Sequence, residues 1–316
     1  MDSIEKAMRG RPLGWVTPLA VNAPVRPTKS DMTGKAVADV EEEAPPSEVA
    51  EKPVTAVVKR TQRSVMLDFQ QIQAAGLLVP DTRRSRIKEE YRHIKRPLLM
   101  NVDGKGAMVA EHASLIVVTS TRPGEGKTFT ACNLALSIAT ERNRTVLLVD
   151  ADIIKPTVAK MLGFEAERGL VDFLVDDQLD LADVLVDTNV PSLTILPAGS
   201  RHHLSTELLA GENMRRLATE MSRRYPDRVV IFDSPPLLAT TEASVLARLM
   251  GQVVMVVEAE RTQQSQVKEA LALLDPNQIV GCVLNKARGF LGLDYYGYGY
   301  DVREDGGEGE SGAKSR

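Results

Sequence analysis

Leu115-Ile116-Val117-Val118 runs into Thr121-Arg122-Pro123-Gly124-Glu125-Gly126-Lys127-Thr128, and the next segment places Phe129, Cys132, Leu136 and Ala139 at helical spacing. The order is apolar strand, glycine-rich turn, helix. A nucleotide's β- and γ-phosphates carry so much charge that backbone N–H groups must wrap them closely, which glycines such as Gly124 and Gly126 allow. The reading therefore gives Pro123, Gly124, Glu125, Gly126, Lys127 and Thr128 to nucleotide binding. Lys127 reaches the β- and γ-phosphates, the Thr128 hydroxyl ligates Mg²⁺, and the helix N-terminus faces the negative charge. Thr121 stands where the usual pattern begins with glycine. A Gly-Lys-Ser/Thr tripeptide arises by chance in roughly one chain of this length in six, so the flanking strand and helix carry the assignment.

Carboxylates at the ends of later apolar runs complete the pattern. Val146-Leu147-Leu148-Val149 ends in Asp150-Ala151-Asp152, and Val229-Val230-Ile231-Phe232 ends in Asp233-Ser234-Pro235-Pro236. Continuous apolar runs of this length suit parallel strands buried on both faces. Acids at their carboxyl ends lie where open α/β sheets bind ligands. Asp233 occupies the place from which such an acid holds Mg²⁺. Further apolar strands are expected at 193–196, 253–257 and 279–284, and helices at 156–162, 169–175, within 205–225 and at 263–274. Asn285-Lys286, after the last strand, is positioned to contact a nucleotide base. Alternating strands and helices with right-handed crossovers imply a doubly wound, mainly parallel α/β sheet of the P-loop NTPase class with deviant motifs.

Composition sets the limits around this centre. The 316 residues, 43% hydrophobic, suffice for one α/β domain with extensions, and a net charge of -4 gives no general affinity for nucleic acid. No nucleic-acid partner is expected. Cys132 and Cys282 lie in apolar segments, as core thiols of a reducing compartment do. No run reaches membrane-spanning length, so a cytoplasmic chain without its own span is expected. His202-His203 has no further ligand at metal-binding spacing and reads as surface loop.

Three regions follow from these shifts in composition. Residues 1–64 hold seven of the seventeen prolines and an acidic run at 41–43, and read as a disordered linker. Residues 65–290 form the nucleotide-binding domain, opening with a segment in which Val65, Phe69 and Ile72 recur at helical spacing. Within it, Arg83 to Arg96 is charged, and Glu89, Arg92 and Lys95 fall near one helical face, either solvated or in contact with another subunit. Residues 291–316 form a flexible acidic tail in which Tyr295, Tyr296, Tyr298 and Tyr300 alternate with glycines.

Together these motifs resemble the bacterial tyrosine autokinases of polysaccharide export, of the exosortase and exopolysaccharide-locus type. Residues 121–128 look like that family's Walker A, 147–152 like its Walker A′, and 230–236 like its Walker B. The resemblance implies ATP and Mg²⁺ as cofactors, Lys127, Asp150 and Asp152 as catalytic residues, and Thr128, Asp152 and Asp233 at the metal. It implies Asp150 as the base that takes the tyrosine proton, and Tyr295, Tyr296, Tyr298 and Tyr300 as phosphoacceptors. Glu89, Arg92 and Lys95 resemble a Glu-x-x-Arg-x-x-Arg helix through which family members assemble into rings, with lysine in the last place. Ile154 and Lys155 follow Asp152 where the family often has an arginine. A homo-oligomer, a membrane chain-length-determinant protein as activator at the inner membrane, and a tyrosine phosphatase are the implied partners. Control of exopolysaccharide chain length and export is the implied role. Two other functions fit the loop: a partition-type ATPase switch, in which lysine commonly replaces Arg122, and a weakly catalytic nucleotide-dependent scaffold of an export machine.

Overall fold

The structure, a computed structural model, describes residues 63–80, 85–106, 110–200, 205–224 and 227–287. The expectations for residues 1–62, Arg83, Arg84, His202, His203 and the tyrosines at 295, 296, 298 and 300 lie outside the described residues.

Among the described residues, β1 (Arg63–Val65), β2 (Leu115–Ser120), β3 (Thr145–Asp150), β4 (Val186–Thr188), β5 (Leu193–Leu196), β6 (Arg228–Asp233), β7 (Gln252–Glu258) and β8 (Ile279–Asn285) form one sheet. The order is β1-β4-β5-β3-β6-β2-β7-β8. Only the β4/β5 pairing is antiparallel. The expected doubly wound, mainly parallel sheet is therefore present. Alternate residues of each central strand enter opposite cores: Leu115, Val117, Leu147, Val149, Val230 and Phe232 face one, and Ile116, Val118, Val146, Leu148, Val229 and Ile231 the other. Because the strand period is two, a continuous apolar run is what such a two-sided sheet requires.

Helices cover both faces. On one lie α1 (Phe69–Ala74), α2 (Arg86–Val102), α3 (Lys127–Ile138) and α4 (Val158–Met161), whose buried residues join the second core. On the other lie α5 (Leu170–Val175), α6 (Leu181–Val184), α7 (Ser205–Ala210), α8 (Glu212–Arg224), α9 (Thr241–Arg248) and α10 (Gln264–Ala272). The register pairs Asp150 with Asp233 and Val118 with Asp233, so the carboxyl ends of β2, β3 and β6 are level. That alignment brings the phosphate loop and the strand-end acids to one edge of the sheet.

Several expectations change. The helical spacing of Val65, Phe69 and Ile72 is not one helix: residues 63–65 pair with β4, and Asp68 then starts α1 by accepting from the N–H groups of Gln70 and Gln71. The helix expected within 205–225 is two, broken at Gly211. Cys282 is exposed, because among the described residues β8 pairs only with β7 and its outer half, including Leu284, is uncovered. Lys95 does not lie on a solvated face. It is buried, its ammonium donating to the Ser137 carbonyl at 2.6 Å and pairing with Glu141 at 2.7 Å. The last carbonyls of α3 lack intrahelical partners and carry partial negative charge, which a lysine from the adjacent α2 satisfies. Glu89 and Arg92 do form an exposed pair, at 2.6 Å.

Candidate active site

The phosphate loop turns through two left-handed glycines, Gly124 at φ 91° and Gly126 at φ 98°. Gly126 is the N-cap of α3, and a Cβ there would lie 2.1 Å from the Asn285 amide nitrogen. Both backbone geometry and close approach thus demand glycine.

Beside the loop, Lys127 Nζ lies 2.6 Å from Asp152 Oδ2 and 3.7 Å from Asp233 Oδ1. Thr128 donates its hydroxyl to Asp233 Oδ2 at 2.6 Å and lies 3.1 Å from the Thr157 hydroxyl. Asp150 Oδ2 accepts from the N–H groups of Thr157 and Val158, at 3.1 and 3.0 Å, which ties it to the start of α4. Asp150 Oδ1 and Asp233 Oδ1 are buried without a hydrogen-bond partner.

The charges perturb one another strongly. Burial opposes the Lys127 charge, but Asp233 and Asp152 outweigh it and hold the ammonium above its ordinary pKa. Burial, reinforced by Asp233, pushes Asp150 up to about 8 against the opposing Val158 N–H. Burial likewise pushes Asp233 up to about 6, opposed by the Lys127 charge and the Thr128 hydroxyl. One cation among three carboxylates is a net negative site, suited to a hard divalent cation with oxygen ligands. Asp233 Oδ1, which accepts no hydrogen bond, and the Thr128 hydroxyl fit that requirement. Among the described residues no group of three or more His, Cys, Asp or Glu side chains is gathered for a metal. Water and phosphate oxygens would complete the shell, as Mg²⁺ commonly arranges.

A cavity of about 390 Å³ opens over this cluster. Pro123, Gly124, Gly126, Lys127, Thr128 and Asp152 line it, as do Ile154, Thr157 and Pro235. Asp150 lies behind it, lining a neighbouring cavity instead. Glu125 is 3% exposed, with its side chain turned away beneath the loop. The Asn285 amide donates to the Glu125 carbonyl at 2.9 Å, and Lys286 Nζ to the Gly124 carbonyl at 2.7 Å. Sequence reasoning missed Thr157 and the loop residue Thr262, whose hydroxyl contacts the Glu125 carboxylate. Thr157 follows Asp152 closely but belongs to no recognised motif, and Thr262 is brought to the site from 137 residues after Glu125.

The family model described as an AAA domain matches residues 113–275. Tyrosine-protein kinase YwqD of Bacillus subtilis is 33% identical over 205 residues, covering 64% of this chain and 82% of that one. Succinoglycan biosynthesis transport protein ExoP of Rhizobium meliloti is 34% identical over 234 residues, 72% of this chain but only 28% of ExoP. The crystal structure of the chimerical protein CapA2B2 superposes with a TM-score of 0.59 and 27% identity, over 72% of this chain and 94% of that one. Among the described residues no helix is long and apolar enough to cross a membrane. Carrying a phosphate loop set against strand-end aspartates, and matching YwqD over most of its length, the chain belongs to the bacterial tyrosine-protein kinases of polysaccharide export.

Proposed function

We propose that the chain transfers the γ-phosphoryl group of ATP to Tyr295, Tyr296, Tyr298 and Tyr300 of a neighbouring copy. The observation that carries this reading is the contact of Lys127 and Thr128 with Asp152 and Asp233 at the mouth of the cavity. The backbone of residues 121–128 holds the phosphates, and Lys127 leaves Asp152 to neutralise the γ-phosphate as charge develops there. Magnesium, when held by Thr128, Asp152 and Asp233, supplies further charge against the phosphate oxygens. The tyrosine hydroxyl attacks in line. Its phenol, with an ordinary pKa near 10, gives up its proton to Asp150 Oδ1, the carboxylate oxygen without a partner.

In this reading a homo-oligomer presents each tail to the next site, the exposed Glu89-Arg92 pair lies at the contact between copies, and Asn285 lies near the base. A chain-length-determinant protein at the inner membrane activates the kinase, a tyrosine phosphatase resets it, and the cycle controls exopolysaccharide chain length. Each phosphate adds about -1.5 to -2 charges at neutral pH, so a loaded tail is repelled by the site's aspartates and leaves.

The test mixes a Lys127→Met protein bearing the intact tail with an active protein whose four tail tyrosines are phenylalanine. Phosphotyrosine on the Lys127→Met partner supports transfer between copies, and an unlabelled partner refutes it. ATP hydrolysis with no phosphotyrosine on either partner would instead favour the partition-type switch.

A further inference from the structure

Glu125 is an acid buried inside a loop whose task is to bind anions, so its charge must be answered locally. Oε2 accepts from the N–H groups of Thr121 and Arg122, at 2.7 and 2.9 Å, and Oε1 from the Thr121 hydroxyl at 2.6 Å. The Thr262 hydroxyl, from the turn after β7, donates to Oε1 as well. A carboxylate offers about four acceptor positions, and this one has four donors.

The same turn reaches the loop by a second route. Thr262 accepts from the Glu258 N–H at 3.2 Å, Glu258 pairs with Lys286 at 3.2 Å, and Lys286 donates to the Gly124 carbonyl. With Asn285 on the Glu125 carbonyl, the carboxyl ends of β7 and β8 grip the phosphate loop from beneath.

We propose that Glu125 is a positioning residue, which fixes the phosphate loop by closing residues 121–125 on itself and tying them through Thr262 to the end of β7. Its side chain does not touch the nucleotide. Carboxylate hydrogen bonds are among the stronger ones, and the shape they impose sets where the loop's N–H groups point. The inference rests on reading residues 121–128 as the nucleotide loop.

The test compares wild type with Thr262→Val, Thr262→Ser and Glu125→Gln, measuring the Kd for a fluorescent ADP analogue, the melting temperature and amide hydrogen exchange at Thr121 and Arg122. Thr262→Val should weaken binding about tenfold, speed exchange at both amides and leave the melting temperature nearly unchanged, and Thr262→Ser should restore affinity. Glu125→Gln, which removes the charge and turns an NH2 group toward the Thr121 and Thr262 hydroxyls, should have the larger effect. If it does not fold, the Thr262 pair decides alone. Wild-type binding and exchange in Thr262→Val would overturn the proposal. Failure of the wild type to bind nucleotide would count against the loop's function, while amide exchange would still decide whether Glu125 and Thr262 hold it.

Discussion

Replacing Lys95 by alanine should destabilise the domain far more than loss of a surface lysine. The ammonium donates to the Ser137 carbonyl at the end of α3, in a site where the lysine side chain is 7% exposed. A hydrogen bond to a charged group contributes about 1.5–3 kcal/mol, and the buried carbonyl keeps its bond from the Thr140 hydroxyl at 2.7 Å. The half-exposed Glu141 adds about 0–1 kcal/mol. Together these give about 1.5–4 kcal/mol, before any loss of packing by the lysine stem. For a domain of this size that is a fall of about 3–16 °C in melting temperature. Urea unfolding followed by circular dichroism should show a lower midpoint at unchanged slope. Lys95→Met, which keeps the apolar stem, should recover part of the loss, and Arg92→Ala in the exposed pair should cost less than about 1 kcal/mol. A Lys95→Ala loss below about 0.5 kcal/mol, as for an ordinary surface position, would refute the placement of Lys95 under α3.

Gly126→Ala forces a left-handed φ on alanine and sets its Cβ against Asn285, so nucleotide affinity should fall by about fivefold to thirtyfold; unchanged affinity in a titration would contradict the loop geometry. In nucleotide-free protein Asp150 titrates at about 8 and Asp233 at about 6, while unfolded aspartate titrates near 3.9. Between those values the folded state holds more protons than the unfolded chain, so these groups make stability fall as pH rises from about 4 to 8. Asp150→Asn should flatten that slope in urea midpoints taken across the interval, and an unaltered slope would contradict the burial of its charge.

Much of the site was legible because the strands that build it are long and central. Apolar runs ending in Asp150 and Asp233 identify themselves, and parallel pairing in register then forces the two acids together. The β1/β4 edge of the sheet was not legible, since these strands have three residues each and no measurable period. Cys282 looked like a core thiol because a run of apolar residues does not reveal which strand ends the sheet. Lys95 shared a helical face with Glu89 and Arg92 in sequence, yet its partner Ser137 lies 42 residues away. Glu125 was read as part of the nucleotide stretch. Its side chain's role depends on Thr262, 137 residues later, and no local pattern announces that contact.

In the proposed reaction, ATP held on residues 121–128 phosphorylates the C-terminal tyrosines through Lys127. Its most direct test is mass-spectrometric mapping of phosphotyrosine on purified wild type and on Lys127→Met after incubation with ATP and Mg²⁺. Phosphate is expected on Tyr295, Tyr296, Tyr298 and Tyr300 of the wild type, none on Tyr91, which is buried against α3, none on Tyr225, and no labelling of Lys127→Met alone. Wild-type labelling of the Lys127→Met protein, or an unmodified tail on an active wild type, would contradict it.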